Sequence, residues 1–183
     1  MVHRTLFRRI NALEEGIQNM LSTSQTDAIN EQIAFEMNSA YVYLGMSAYC
    51  ESRNLPGFAK WLRVQWQEEV GHGMKLYDMV FERGGKVTLQ GIDKPSVKYS
   101  SVLDVFKQVL AHEKKVTASI NKLYALASKE NDYATQVALQ WFISEQVEQE
   151  KNAGDIIAAL ELVGDSGTAL YMFDKQMGSR AAD

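Results

Sequence analysis

The chain has 183 residues, 46% of them hydrophobic and 23% charged, with a formal net charge of −4, proportions that suit one globular domain with a sizeable core. The acidic balance argues against a general nucleic-acid binder, which needs a basic surface to neutralise phosphates, and no apolar run reaches the roughly 18 residues of a membrane span. Cys50 is the only cysteine, which excludes an intrachain disulfide, an all-cysteine zinc site and an iron–sulfur cluster, and suits a reducing compartment such as the cytoplasm.

Residues 1–19 stand apart. Arg4, Arg8 and Arg9 lie among Leu6, Phe7 and Ile10, with no acid before Glu14. Transit peptides and short amphipathic extensions share that pattern, and the role of this N-terminal extension stays open. Beyond it the punctuation is sparse. Thr26 or Asp27 is expected to cap a first helix, which runs to Asn54-Leu55-Pro56-Gly57. A second runs from about Phe58 to the Gly84-Gly85 stop signal. Residues 86–99, with Gly91 and Pro95, read as a long connection. Ser100 or Ser101 opens a third helix, which fades near Asn131-Asp132. A fourth ends at about Val163-Gly164, and residues 168–178 form a short fifth after Ser166-Gly167.

The four long helices are about 27–32 residues each, or about 40–48 Å at 1.5 Å per residue. The first and third loops are short, so each joins an antiparallel hairpin. The second loop is long enough to cross the bundle lengthwise, at about 3.3 Å per residue. The expected fold is all-α: a four-helix bundle of two antiparallel hairpins joined by a long crossover, with a short C-terminal fifth helix.

Alternating steps of four and three trace the inward seam of each helix. The first gives Ile29, Ile33, Glu36, Ala40, Tyr43 and Ser47. The second gives Phe58, Leu62, Gln65, Glu69, His72, Leu76 and Met79. The third gives Val109, Glu113 and Val116 within an apolar run, and the fourth gives Phe142, Gln146, Gln149 and Ala153. Every seam is interrupted by polar groups near its middle, so Glu36, Glu69, His72, Glu113, Gln146 and Gln149 should converge in one layer. Clustered buried carboxylates repel and are poorly solvated, and a dication relieves both costs. Three carboxylates and an imidazole suit iron, manganese or zinc. Each element has a plainer reading alone: Glu68-Glu69 as a solvated face, Glu113 as a stripe edge, the two glutamines as hydrogen-bonded core residues. His3 and His112 lack a partner pattern and are expected to be exposed.

In this context the sequence resembles the bacterial non-haem ferritins over about residues 20–178. The likeness rests on Asn30-Glu31-Gln32, Glu36, Tyr43, Met46-Ser47-Ala48 and Cys50. It continues through Gln67-Glu68-Glu69-Val70-Gly71-His72, Glu113 and Leu139-Gln140-Trp141-Phe142-Ile143-Ser144-Glu145-Gln146, and ends on Ser166-Gly167, Leu170-Tyr171 and Asp174-Lys175. The resemblance implies one ferritin-like domain over residues 20–183 that binds Fe(II), oxidises it with O2 and stores ferric mineral inside a homo-oligomeric, 24-subunit cage. It implies Glu36, Glu69 and His72 around a first iron, Glu69 bridging to a second iron held with Glu113, and Gln146 lining the centre. Tyr43 would lie beside the first iron as an electron source, assisted by Trp141. Glu68, Glu145 and Glu148 would form a third, weaker iron site. Bacterial members usually carry a glutamate where this chain has Gln149, and a neutral amide is a poorer ligand for a hard cation, so the second or third site should be weaker. Gln146 and Gln149 stand where bacterioferritins place a second Glu-x-x-His motif, and Val70 stands where their haem methionine would be, so no haem is expected. A di-iron enzyme acting on an organic substrate or peroxide, and a structural subunit with an impaired centre, are the competing classes.

Overall fold

The computed structural model describes residues 20–96, 98–164 and 166–180. The N-terminal extension of residues 1–19, His3 included, lies outside the described residues. Five helices and no strand occur among those described: α1 (Thr23–Ser52), α2 (Pro56–Glu82), α3 (Val102–Lys129), α4 (Tyr133–Val163) and α5 (Gly167–Met177). This is the expected four-helix bundle with a short fifth helix.

The helix ends follow from local chemistry. Asn54, Gly84 and Asn131 take positive φ values of 57°, 67° and 56°. Each follows a helix whose last carbonyls are closed by the reversed bonds of a Schellman turn, such as Gly85 N–H to Val80 O at 2.8 Å. Ser101, Asp132 and Ser166 cap α3, α4 and α5 by accepting from the backbone N–H three residues on. One boundary differs from expectation. Ser22, not Thr26 or Asp27, caps α1, accepting from Gln25 N–H at 3.0 Å and donating to Glu130 at 2.7 Å. The partner at the end of α3 is what favours the earlier start, and it lies 108 residues away.

Helix α1 packs on α2, α3 packs on α4, and α1 also touches α3, while α5 lies against α2 and α4. The remaining side is wider: no Cα of α2 comes within 8 Å of one in α4. The crossover between α2 and α3 runs down α1 on a ladder of contacts. Asn30 bonds Lys86 O and Thr88 N–H at 2.9 Å each, Asn38 accepts from Asp93 N–H at 3.0 Å, and Gly45 lies under Pro95.

The apolar core comes in two blocks. One joins Met46, Cys50, Phe58, Leu62, Val105, Phe106, Ala153 and Leu160. The other joins Ile29, Ile33, Leu76, Val116, Ile120, Leu123 and Leu139. Between them lies a buried polar layer of Glu36, Gln65, Glu69, His72, Glu113, Gln146 and Gln149. Hydrophobic burial at both ends holds a layer in place that would not assemble alone.

Candidate metal centre

Helix α1 presents Glu36, α2 presents Glu69 and His72 one turn apart, and α3 presents Glu113, all at most 5% exposed. One ligand atom from each of Glu36, Glu69 and His72 lies within 4.8 Å of the others. His72 Nδ1 is 3.5 Å from Glu69 Oε2, at the long limit of a hydrogen bond, and no hydrogen bond joins them. Among the described residues, Glu36 Oε2 and Glu69 Oε2 are the buried side-chain polar atoms without a hydrogen-bond partner. An unpaired buried carboxylate costs on the order of several kcal/mol, so the facing Glu36 and Glu69 carboxyls need either a proton shared between them or a bound cation.

The electrostatics agree. Burial, reinforced by the Glu69 charge, raises the Glu36 carboxyl well above the ordinary range. Burial and then the Glu113 charge do the same to Glu69. Burial also raises Glu113, against hydrogen bonds from Tyr43 and Gln146 that favour its ionised form. Without a metal these carboxyls keep protons to higher pH than exposed ones do; with one, ligand atoms must give them up.

Outer partners fix the orientation of the carboxylates. Gln32, itself bonded by Ser119, donates to Glu36 Oε1 at 2.8 Å. Tyr43 donates its hydroxyl in a short hydrogen bond to Glu113 Oε1, and Gln146 donates to Glu113 Oε2 at 3.1 Å. Gln146 also reaches Thr117, which donates to Glu150 at 2.6 Å. The Tyr43 phenol is raised by burial and by the Glu113 and Glu69 charges, so it is neutral. Its hydroxyl meets Glu113, the carboxylate that the resemblance assigned to the second iron. Trp141 lies elsewhere: 40% exposed, it sets its ring against His72 at 5.3 Å, with Lys75 Nζ 4.0 Å above it.

The residues expected at a third site divide. Glu68 and Glu145 meet at Gln149, whose Nε2 is 3.1 Å from Glu145 and 3.4 Å from Glu68. Its Oε1 accepts from Gln65 at 2.9 Å, so the amide turns its nitrogen to the carboxylates. Glu148 is exposed and makes no hydrogen bond to this group. His112 corrects an expectation. It is half-buried, its Nε2 lies 2.7 Å from Ser39 Oγ, and burial lowers its pKa to about 4, so it is a neutral wedge between α3 and α1. Ser119 and Thr117 were not singled out in the sequence, and Gln32 and Gln65 were given no role at the centre. Gln32, four residues before Glu36, and Gln65, four before Glu69 on the seam, carried a local signal.

A family model for the ferritin-like domain matches residues 26–163. The bacterial non-heme ferritin of Staphylococcus aureus strain USA300 is 37% identical over 164 residues, 90% of this chain and 99% of that protein. The protein of the same name from Staphylococcus saprophyticus is 38% identical over 164 residues, with 90% and 98% covered. Among solved structures, an open-pore ferritin from the hyperthermophilic archaeon Archaeoglobus fulgidus superposes with a TM-score of 0.87 at 44% identity, covering 88% of this chain and 99% of that one. A form of the same ferritin engineered to be closed gives 0.88, also at 44% identity, covering 89% and 99%.

Proposed function

The chain belongs to the ferritin family, and on that premise we propose that it is an iron-storage subunit with ferroxidase activity. Iron is its substrate and cargo. The bundle takes up Fe(II), transfers electrons to O2, and passes Fe(III) to a mineral enclosed by a homo-oligomeric cage of the family's 24-subunit form. The observation that carries this reading is the convergence of Glu36, Glu69 and His72, with two unpaired buried carboxylate oxygens, at the middle of the bundle.

Glu36, Glu69 and His72 hold one iron, and Glu69 reaches on towards a second held by Glu113. Hard, charged oxygen ligands stabilise Fe(III) more than Fe(II), which drives the oxidation. Gln32 and Gln146 keep the carboxylates aimed, as outer partners do at metal sites generally. Tyr43 is suited to supply an electron, because its hydroxyl proton already points at Glu113 and can leave as the electron does. Trp141, on the His72 ring, is the second electron source. Glu68 and Glu145 line the outer approach, with Glu148 on its exposed edge. Among the described residues no helix is long and apolar enough to cross a membrane. Cys50 is buried, its thiol pushed up to about 12 by burial and by the Asp174 charge, as suits an inert thiol in a reducing cytoplasm.

The test is a stopped-flow absorbance trace in air, mixing metal-free protein with about two Fe(II) per subunit beside Glu69→Ala. A fast phase in the parent that the variant lacks is expected. Oxidation by the parent no faster than iron in buffer would overturn the reading and leave a structural subunit.

A further inference from the structure

The wide side of the bundle, between α2 and α4, is bridged by Gln149, and a cation sits on the α2 edge of that bridge. Arg180, just past α5, donates from one guanidinium nitrogen to Gln65 Oε1 at 2.6 Å. The other nitrogen donates to both oxygens of Glu68, at 2.7 and 3.0 Å. The guanidinium carbon sits 4.6 Å over the Trp61 ring. The pair is largely shielded, its side chains 22% and 19% exposed, so it is held more firmly than a surface ion pair.

The geometry points to Arg180 as a tethered cation that engages Gln65 and Glu68, half of an outer cluster completed by Glu145 and Gln149, and so excludes a free divalent ion from it. This rests on the iron-site reading above and deepens it by naming the residue that limits how much metal each chain takes up.

The hydrogen-bond directions make the argument. A guanidinium only donates, so it requires Gln65 to turn its oxygen outward. Gln65 must then donate inward, to Gln149 Oε1. Gln149, its oxygen used, turns its nitrogen to Glu145 and Glu68. One cation at the mouth thus sets the polarity of an amide chain, and its last member offers a carboxylate-facing N–H rather than a ligand oxygen. Glu68 has both oxygens engaged by Arg180. Remove the guanidinium, and two carboxylates and an outward amide oxygen remain, a donor set for a hard cation. The clasp is positioned by the docking of α5: Lys60 donates to Gly178 O at 2.8 Å, and Asp174 binds the start of α2.

The experiment is calorimetric titration of the assembled, metal-free protein with Zn(II), which is redox-inert, comparing parent, Arg180→Gln and Arg180→Gln with Glu68→Gln. The parent should bind only the two-metal complement of its centre. Arg180→Gln should bind one further Zn(II) per chain, and the double variant should lose that extra ion. Equal binding by parent and Arg180→Gln would overturn the proposal, as would an extra ion that survives Glu68→Gln. Failure of the iron-site reading would show separately, as absence of the inner complement from the parent.

Discussion

Glu68 and Glu69 are neighbours in the chain, about 100° apart around α2, and they serve opposite halves of the polar layer. The inner half, facing α1 and α3, holds Glu36, Glu69, His72 and Glu113, and two of its carboxylate oxygens lack a partner. The outer half, facing the wide α2–α4 side, holds Gln65, Glu68, Glu145 and Gln149, and the chain supplies its own cation through Arg180. Polar residues in a bundle core are therefore not equivalent evidence for a metal. What distinguishes the halves is whether the hydrogen-bond inventory closes within the protein.

The largest effect should come from the inner half. Glu36→Ala should slow initial Fe(II) oxidation by more than about a hundredfold, since even the outer partners of metal ligands are worth about 10–100-fold; an unchanged rate would erase the distinction between the halves. Next is stability. The inner carboxyls are raised by burial, so the folded, metal-free chain holds protons that the unfolded chain releases near the ordinary value of about 4.3. Stability without metal should therefore fall as pH rises from the ordinary carboxylate range through the raised values. Glu36→Gln should lessen that fall and raise the metal-free melting midpoint near neutral pH by about 2–4 °C, the response of a chain this size to about 1 kcal/mol. Thermal melts at roughly pH 5 and 8 decide it, and equal slopes in parent and variant would count against the assignment.

In the outer half, Gln149→Glu exchanges the N–H groups facing Glu68 and Glu145 for a third carboxylate. In the Arg180→Gln background, where that cluster is open, binding of the outer divalent ion should tighten by roughly tenfold, as added ligand charge does at hard-cation sites, and an unaltered Zn(II) titration would show that charge is not limiting there. The smallest effect belongs to Thr117→Val, which loosens Gln146 behind Glu113. The oxidation rate should drop by about tenfold or less, with inner stoichiometry unchanged. A loss of stoichiometry would mean that Thr117 is part of the centre rather than its support.

The seam positions were legible because helical periodicity carries them. Glu36, Glu69, His72, Glu113, Gln146 and Gln149 interrupt apolar stripes, and all six are buried at one level. The helix stops at Asn54, Gly84 and Asn131 were legible too, since few other residues tolerate positive φ. Arg180 was not, because it lies beyond the last periodic run and its partners are 112 and 115 residues away. The Ser22 cap and the placing of His112 against Ser39 escaped for the same reason: the deciding contact is tertiary.

One contact bears on how the protein is made. Helix α2 begins at Leu55 and Pro56 with no capping side chain of its own, and its first free N–H groups, on Gly57 and Phe58, are taken by Asp174 at 2.8 and 3.0 Å. The approach is so close that a Cβ on Gly57 would fall 1.6 Å from Asp174 O. Asp174 lies 117 residues after Gly57, so on the ribosome the amides at the start of α2 are left to water until α5 has emerged. A late segment thus finishes an early helix, and a chain cut short before α5 would keep that end unfinished.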